Sequence, residues 1–580
     1  MGSEKPKGRL AYWAKRLECP VDENANYKNT FWALRDTGSS AGKSSSPIVV
    51  QDTDQSAFRI NTTAWTAGSS LLSLGLSVPQ AMGVVVGVAL ISALIAVFAG
   101  WPGSHLYLGF TVLSRASWGM RGGFWPVLNR IMTACVWMGI QAYWGGQAVK
   151  IILRALIGRS FIELKNTLPA TANTDTASLI SFFVFIAIFL PLPLIPPEKL
   201  QLPFKITFVM ITATMFGMLG WAVRAAGGSA GGLVHAPATQ HGAALRWAAA
   251  YGLQSIVGSQ ASGCLGQSDW TRYARAPHAA LLGQLVAAPV FIVVTAVCGI
   301  LITSAAATVY GRYVWNPFEL LLLVQEEEGG ARPAARAGTF FAGLGFLVSQ
   351  LALCQMLNGI STGMDMAALC PKWINIRRGC YILTVIAIAI CPWNYVTNPG
   401  TFITVLSGWS VFLSPMTAIV ICDYALVRRG PRYRVSDLYR GDASSAYWYV
   451  AGFNPRAFVA WIAGMAPLLP GFARAVKGVG GTSGWDRVYQ VSYFYGFGAT
   501  FVVYWALFAV WPVEGQRECG GFVLEGVAEM VGVEGEGVED DRGRGSGSGS
   551  GSAGGRGGAG EGHVEMGTVD GKEAAKTFAE

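Results

Sequence analysis

Residues 340–378 read FFAGLGFLVSQLALCQMLNGISTGMDMAALCPKWINIRR. The stretch opens on an apolar run long enough to enter a bilayer, which calls for roughly 20 residues of helix. The run is then interrupted by Asn358-Gly359, by Ser361-Thr362-Gly363 and by Asp365, and it closes on Pro371 and the cations Lys372, Arg377 and Arg378. The Asn358 carboxamide carries one acceptor and two donors. Left unpaired in hydrocarbon, such a group costs several kcal/mol. A polar centre at this depth therefore faces a partner, a cavity or a ligand. The rest of the chain reads as the scaffold that sets this amide beside a pocket.

Composition agrees. Of 580 residues, 52% are hydrophobic and 13% charged, where globular proteins carry about 25% charged residues. Uncharged runs of spanning length recur, and they do not show the short alternating segments of a transmembrane barrel. The expected fold class is an all-α polytopic membrane protein. The ten cysteines are scattered without CxxC spacing and lie mostly in apolar runs, and the five histidines form no metal-ligand motif. No metal site and no cofactor is expected. The net charge of +9 sits in loops between apolar runs, which speaks for membrane topology and against a nucleic-acid partner. No nucleophile–base motif or phosphate loop suggests an enzyme.

Twelve helices are expected, at about 60–77, 81–101, 124–149, 177–197, 204–223, 246–268, within 279–307, the 340–378 stretch, two within 379–422 divided near Pro392 to Pro399, 457–473 and 490–512. Residues 1–55 form a polar, basic N-terminal region, residues 56–513 the transmembrane domain, and the Gly/Ser/Glu-rich segment 514–580 a disordered cytoplasmic tail. With the N-terminus inside, Lys372, Arg377, Arg378 and the group Arg428, Arg429, Arg432, Arg434 and Arg440 fall in cytoplasmic loops, while Glu326, Glu327 and Glu328 fall outside, as the positive-inside rule expects.

Two helices carry small and hydroxyl residues at matching positions of two halves. The first holds Trp65-Thr-Ala-Gly68-Ser69-Ser70 and the sixth Gly258-Ser259-Gln260-Ala-Ser-Gly263. Five helices separate them, as an inverted repeat with discontinuous helices requires; close packing of small residues is the other reading. In the third helix, Trp137 and Gln141 stand at i and i+4, on one face. An indole beside a carboxamide suits a planar heterocycle, since the ring stacks and the amide both donates and accepts; a core tryptophan with an interhelical amide is the alternative. Asp269, beside Arg272 and Arg275, and Asp423 read as ion pairs or caps at the membrane face. Asp365 is closer to the expected pocket and open to either role.

Several longer motifs resemble the nucleobase–cation symporter-1 family, in its fungal branch of uracil, allantoin and thiamine permeases. They are GSSLLSLGLS at 68–77, RASWGMRGGFWPVLNRIMTACVWMGIQAYWGG at 115–146, QSDWTRYAR at 267–275, NGISTGMDMAALCPKWINIRRGCYI at 358–382, ICPWN at 390–394, SVFLSPMTAIVICDYALVRRG at 410–430 and NPRAFVAWIAGMAPLLPGFA at 454–473. The resemblance implies a five-plus-five inverted-repeat fold plus two C-terminal helices, and alternating access coupled to a cation. It implies that Trp137 stacks on the substrate ring, that Gln141 and Asn358 bond to it, and that Gly258 marks the break of the sixth helix. Trp65, Gly258 and Ser259 complete the expected substrate-binding set. Relatives can carry an aromatic next to that glycine, where this chain has Ser259.

Two further departures bear on activity. The positions preceding Gly68 read SSSPIVVQDTDQSAFRINTTAW, in which Asp52, Asp54, Gln55 and Arg59 replace an apolar half-helix. Where sodium-coupled relatives place hydroxyls in the eighth helix, this chain has Ala352, Leu353 and Cys354, so H+ is the preferred coupling cation over Na+. The expected function is a proton-coupled symporter of a small planar heterocycle such as uracil or allantoin, in the plasma membrane. The alternatives are a thiamine or nicotinamide riboside transporter, or a transport-defective, receptor-like protein arising from the altered first half-helix. Oligomeric state has no sequence signature here.

Overall fold

The computed structural model describes residues 60–195, 200–272, 274, 278, 280–327, 332–479 and 481–513. The readings placed on residues 1–59, including Asp52, Asp54, Gln55 and Arg59, on Arg275 and Glu328, and on the tail 514–580 lie outside these residues.

The described chain is helical, and local chemistry sets its punctuation. Helix α1 (Thr62–Ser70) starts on Asn61, whose side chain accepts from the Ala64 N–H at 2.8 Å, satisfying one of the donors that every helix start leaves open. A tight turn follows at Leu71–Leu74, closed by Gly75 at φ 86°, a left-handed conformation that glycine adopts without strain. Helix α2 (Val78–Leu106) then begins on a Ser77–Gln80 capping box with Pro79 in its first turn, where a missing N–H costs nothing. Thus Pro79 opens the second helix, and Gly75 makes the turn. Helix α3 (Phe110–Trp118) is a short connector before the 34-residue α4 (Phe124–Ile157). Helices α5 (Thr176–Phe189) and α6 (Gln201–Ala225) follow.

The sixth expected helix is divided as its small residues suggest. Helix α7 (Gly242–Ser259) stops at Gln260, and α8 (Ala261–Leu265) and α9 (Ser268–Thr271) continue beyond it. The first runs as α-helix through Gly68 to Ser70 and there passes into the tight turn Leu71–Leu74. There Thr66 bonds to the Thr62 carbonyl at 2.9 Å and Ser70 to the Ala67 carbonyl at 3.0 Å within the helix, while Ser69 also reaches the Trp315 carbonyl at 2.7 Å. Gly68 serves close packing, because a Cβ there would lie 2.8 Å from the Ala296 Cβ.

Helix α10 (Ala288–Tyr310) is preceded by a π-turn at Gly283–Ala287. A helix not expected from the sequence, α11 (Pro317–Glu327), precedes the eighth span. That span is α12 (Pro333–Leu353), a π-helical segment Cys354–Ile360, and α13 (Ser361–Leu369). Helices α14 (Ile376–Ala389), α15 (Pro399–Cys422), α16 (Pro455–Met465) and α17 (Ser492–Val510) complete the set used below.

Eight helical segments among the described residues are long and apolar enough to cross a membrane. Four of the expected spans are not among them, for visible reasons. Those at α1 and α7 are short or divided, α14 has 14 residues, and α4 buries Gln141, Gln147, Lys150 and Arg154. The distribution of polarity is that of a membrane protein: Leu202, Val209 and Val385 are two-thirds exposed, while Arg130, Asp269 and Asp365 are buried.

Two sets of helices pack internally. One holds α1, α2, α7 and α10; the other holds α4, α5, α12 with α13, and α14. Each set takes two helices that precede α7 in the chain and two from α7 onward, counting α12 with α13 as one, which is the arrangement an inverted repeat produces. Helix α15 packs along α7 and α17.

Candidate functional site

A cavity of about 200 Å³ lies between the two sets. One wall comes from α1, α2, α7 and α10 and presents mostly small or aliphatic side chains, among them Ala67, Gly68, Val88, Ile256 and Ala296. The opposite wall carries Trp137 and Gln141 on α4 and Asn358 in the π-helical segment. These three are 8%, 6% and 5% exposed, so they are dry except toward the cavity.

The Asn358 Nδ2 donates to Gln141 Oε1 at 2.7 Å. This bond links residues 217 apart in sequence and holds two carboxamides edge to edge. It engages one donor of Asn358 and the oxygen of Gln141. The Asn358 oxygen and the Gln141 NH₂ remain as an adjacent acceptor and donor. The π-helical geometry matters here, because such a turn inserts an extra residue and re-aims side chains, a common device at functional positions. Gly359, next in sequence, lets the segment close on α14: a Cβ there would meet the Cys380 Sγ at 2.6 Å.

Of the other expected site residues, Ser259 lines the cavity, at the end of α7, with its hydroxyl donating to the Ile256 carbonyl at 2.6 Å. Gly258 does not line it. It faces α15, where a Cβ would fall 2.0 Å from the Ser410 Oγ and 2.9 Å from the Leu406 carbonyl. Its role is to let α7 and α15 touch. Trp65 also lies outside the cavity. Its indole is 1% exposed, fits over Gly299 of α10 and meets Phe346 of α12 edge-on at 6.2 Å. The tryptophan is on the right helix but on the face turned away from the pocket, one step round from Ala64, Ala67 and Gly68.

The cavity extends toward the N-terminal end of α4, where sequence reasoning missed its most polar neighbour. Arg130 lines it, two turns before Trp137. Its guanidinium reaches Asp269 of α9 at 2.6 Å and Asp365 of α13 at 3.3 Å, donates to Ser361 Oγ at 2.5 Å and lies over the Phe110 ring at 5.1 Å. Asp269 also accepts from the Phe110 N–H at 2.9 Å, capping α3. Gly266 makes room for the guanidinium, since a Cβ would meet it at 2.3 Å. Asp269 is thus an ion-pair member as expected, with Arg130 as its partner. Asp423 likewise pairs with Arg428 at 2.8 Å and accepts from Tyr433 and Tyr504. The signal for Arg130 was a basic residue inside an otherwise apolar run, which cannot face lipid.

Residues 56–496 match the family described as permease for cytosine/purines, uracil, thiamine, allantoin. The uracil permease of Saccharomyces cerevisiae is 34% identical over 79% of this chain and 72% of its own length. The allantoin permease of the same yeast is 32% identical over 79% and 72%, and its thiamine transporter 30% identical over 77% and 74%. Among solved structures, the inward-facing conformation of Mhp1 superposes with a TM-score of 0.63 at 18% identity, covering 82% of this chain and 94% of that one. A closed conformation of Mhp1 with bromovinylhydantoin bound, described as a nucleobase-cation-symport-1 family transporter, gives 0.62 at 18% identity, covering 81% and 95%. On the family match and on these relatives, the chain belongs to the permeases for cytosine/purines, uracil, thiamine and allantoin, with the helical transporter fold of Mhp1.

Proposed function

We propose that this permease is a secondary active transporter, not an enzyme, and that it carries a small planar heterocycle held by Trp137, Gln141 and Asn358, with uracil or allantoin the first candidates. The observation that carries the reading is the amide pair. An acceptor and a donor side by side suit a ring edge on which a C=O adjoins an N–H, and both compounds have such edges. Trp137 supplies the face on which a ring stacks. Ser259 adds a small polar contact, with no second aromatic at that position. The names of the yeast uracil and allantoin permeases support the same choice. Thiamine or a nicotinamide riboside is the second reading, favoured by the cavity's continuation past the amide pair, which leaves room for a two-part molecule, and by relatives bearing those names.

The proposed coupling ion is H+. Ala352, Leu353 and Cys354 are buried and offer no side-chain oxygen where a sodium ion would need one. The proposed location is the plasma membrane. The test is uptake of labelled uracil, allantoin and thiamine by transporter-null yeast expressing the full chain. Uracil or allantoin should accumulate, a protonophore should abolish accumulation, and replacing Na+ should leave it unchanged. Accumulation of thiamine alone would select the second reading; saturable uptake that follows Na+ would overturn the ion.

A further inference from the structure

We propose that the inner end of the cavity is a second station for the heterocycle, a transit site built by Trp270 and Gln267. The proposal rests on the transport reading above. Both residues line the same cavity as Trp137 and Asn358. They stand at i and i+3 across the start of α9, where the Trp270 N–H donates to the Gln267 carbonyl at 3.1 Å, so their side chains share a face.

Their depth follows from their neighbours. Asp269 bonds to Arg130, and Gly266 lies against the same guanidinium. Arg130 precedes Trp137 by seven residues of α4, about 10 Å of helix. The second indole and amide therefore belong to the level of Arg130, toward the end where Lys372, Arg377 and Arg378 follow α13. The positive-inside rule makes that end cytoplasmic.

The chemistry repeats that of the first station: an indole for a ring face and a carboxamide for its edge. Neither side chain makes a hydrogen bond among the described residues, although Gln267 is only 5% exposed. A third amide stands close by. A Cβ on Gly100 of α2 would lie 3.1 Å from the Gln267 Cγ and 3.2 Å from the Gln284 Nε2, and that Nε2 is buried with no partner. That donor stands beside Gln267, behind the residues that line the cavity. On the side of α8 the wall between the stations leaves a gap, while Arg130 and Ser361 line the opposite side. Gly263, four residues from both Ser259 and Gln267, lines the cavity, and a Cβ there would enter open space. A planar ring released by Asn358 can slide past it and be caught by Trp270 before it leaves.

The experiment uses full-length protein in proteoliposomes of known orientation, with labelled uracil, allantoin and thiamine offered separately to each face. Trp270→Ala and Gln267→Ala should leave outer-face KM within twofold of wild type. They should raise half-saturation from the inner face at least about fivefold, judged by base–aromatic stacking for Trp270 and by a lost hydrogen bond for Gln267. Trp270→Phe should restore most of that loss. Gly263→Leu, whose Cβ would enter open space, should retain outer-face binding and lose transport. Unchanged inner-face half-saturation in both alanine variants, or wild-type transport by Gly263→Leu, would overturn the proposal. A wild-type protein that moves none of the three compounds saturably would overturn the transport reading itself, a result distinct from silent variants.

Discussion

Replacing Asn358 by alanine tests the amide pair at its centre. In the free protein the variant loses the 2.7 Å bond to Gln141 and leaves the Gln141 oxygen without its partner. That cost appears in both the empty and the loaded protein and therefore largely cancels in substrate affinity. What does not cancel is the bond from the Asn358 oxygen to the ring. A buried partner left unmet costs about 1–3 kcal/mol, or about 5- to 150-fold in affinity. Gln141→Ala should cost a similar amount. Because the two amides touch each other and one ligand edge, the double variant should fall short of the sum by about 0.5–3 kcal/mol. The assay is competition of unlabelled uracil or allantoin against labelled uptake, with membrane abundance followed by a fluorescent tag. Affinity within twofold of wild type in Asn358→Ala, or strict additivity in the double variant, would refute the shared-edge geometry.

Trp137→Ala should weaken substrate by about 1–3 kcal/mol in the same competition assay, taking base–aromatic stacking as the guide, and Trp137→Phe should lose less. Gly258→Val should fail by packing: its side chain would collide with Ser410 and the Leu406 backbone, so loss of protein from the membrane, not a raised KM, is expected on immunoblots of membrane fractions. Arg130→Leu strands Asp269 and Asp365 in a buried site without their cation. A loss of about 3–5 kcal/mol should lower the thermal midpoint of the detergent-extracted protein, and a second change, Asp365→Asn, should recover part of it.

Much of this architecture was legible because hydrocarbon imposes blunt rules. Apolar runs, their prolines and their terminal cations located eight of the expected spans, and Trp137, Gln141 and Asn358 stood out as polar or amphipathic groups in places where lipid would reject them. What the sequence could not convey was rotation and local winding. Trp65 sits among small residues at the expected depth, yet one step round the helix separates a pocket wall from the crevice over Gly299. The hydroxyls near Gly68 suggested a break, but Ser and Thr can equally fold back on their own carbonyls, as Thr66 and Ser70 do. The π-helical segment around Asn358 depends on contacts with α14 that lie outside any local window. Asp269 looked to its sequence neighbours for a cation and found one 139 residues away.

The pocket is tested most directly by a structure of the full-length protein solved with uracil or allantoin bound. Ring density should stack on the Trp137 indole, with its C=O/N–H edge within hydrogen-bonding distance of Gln141 and Asn358. Density seated elsewhere, with the Asn358–Gln141 bond intact and Trp137 untouched, would contradict this placement.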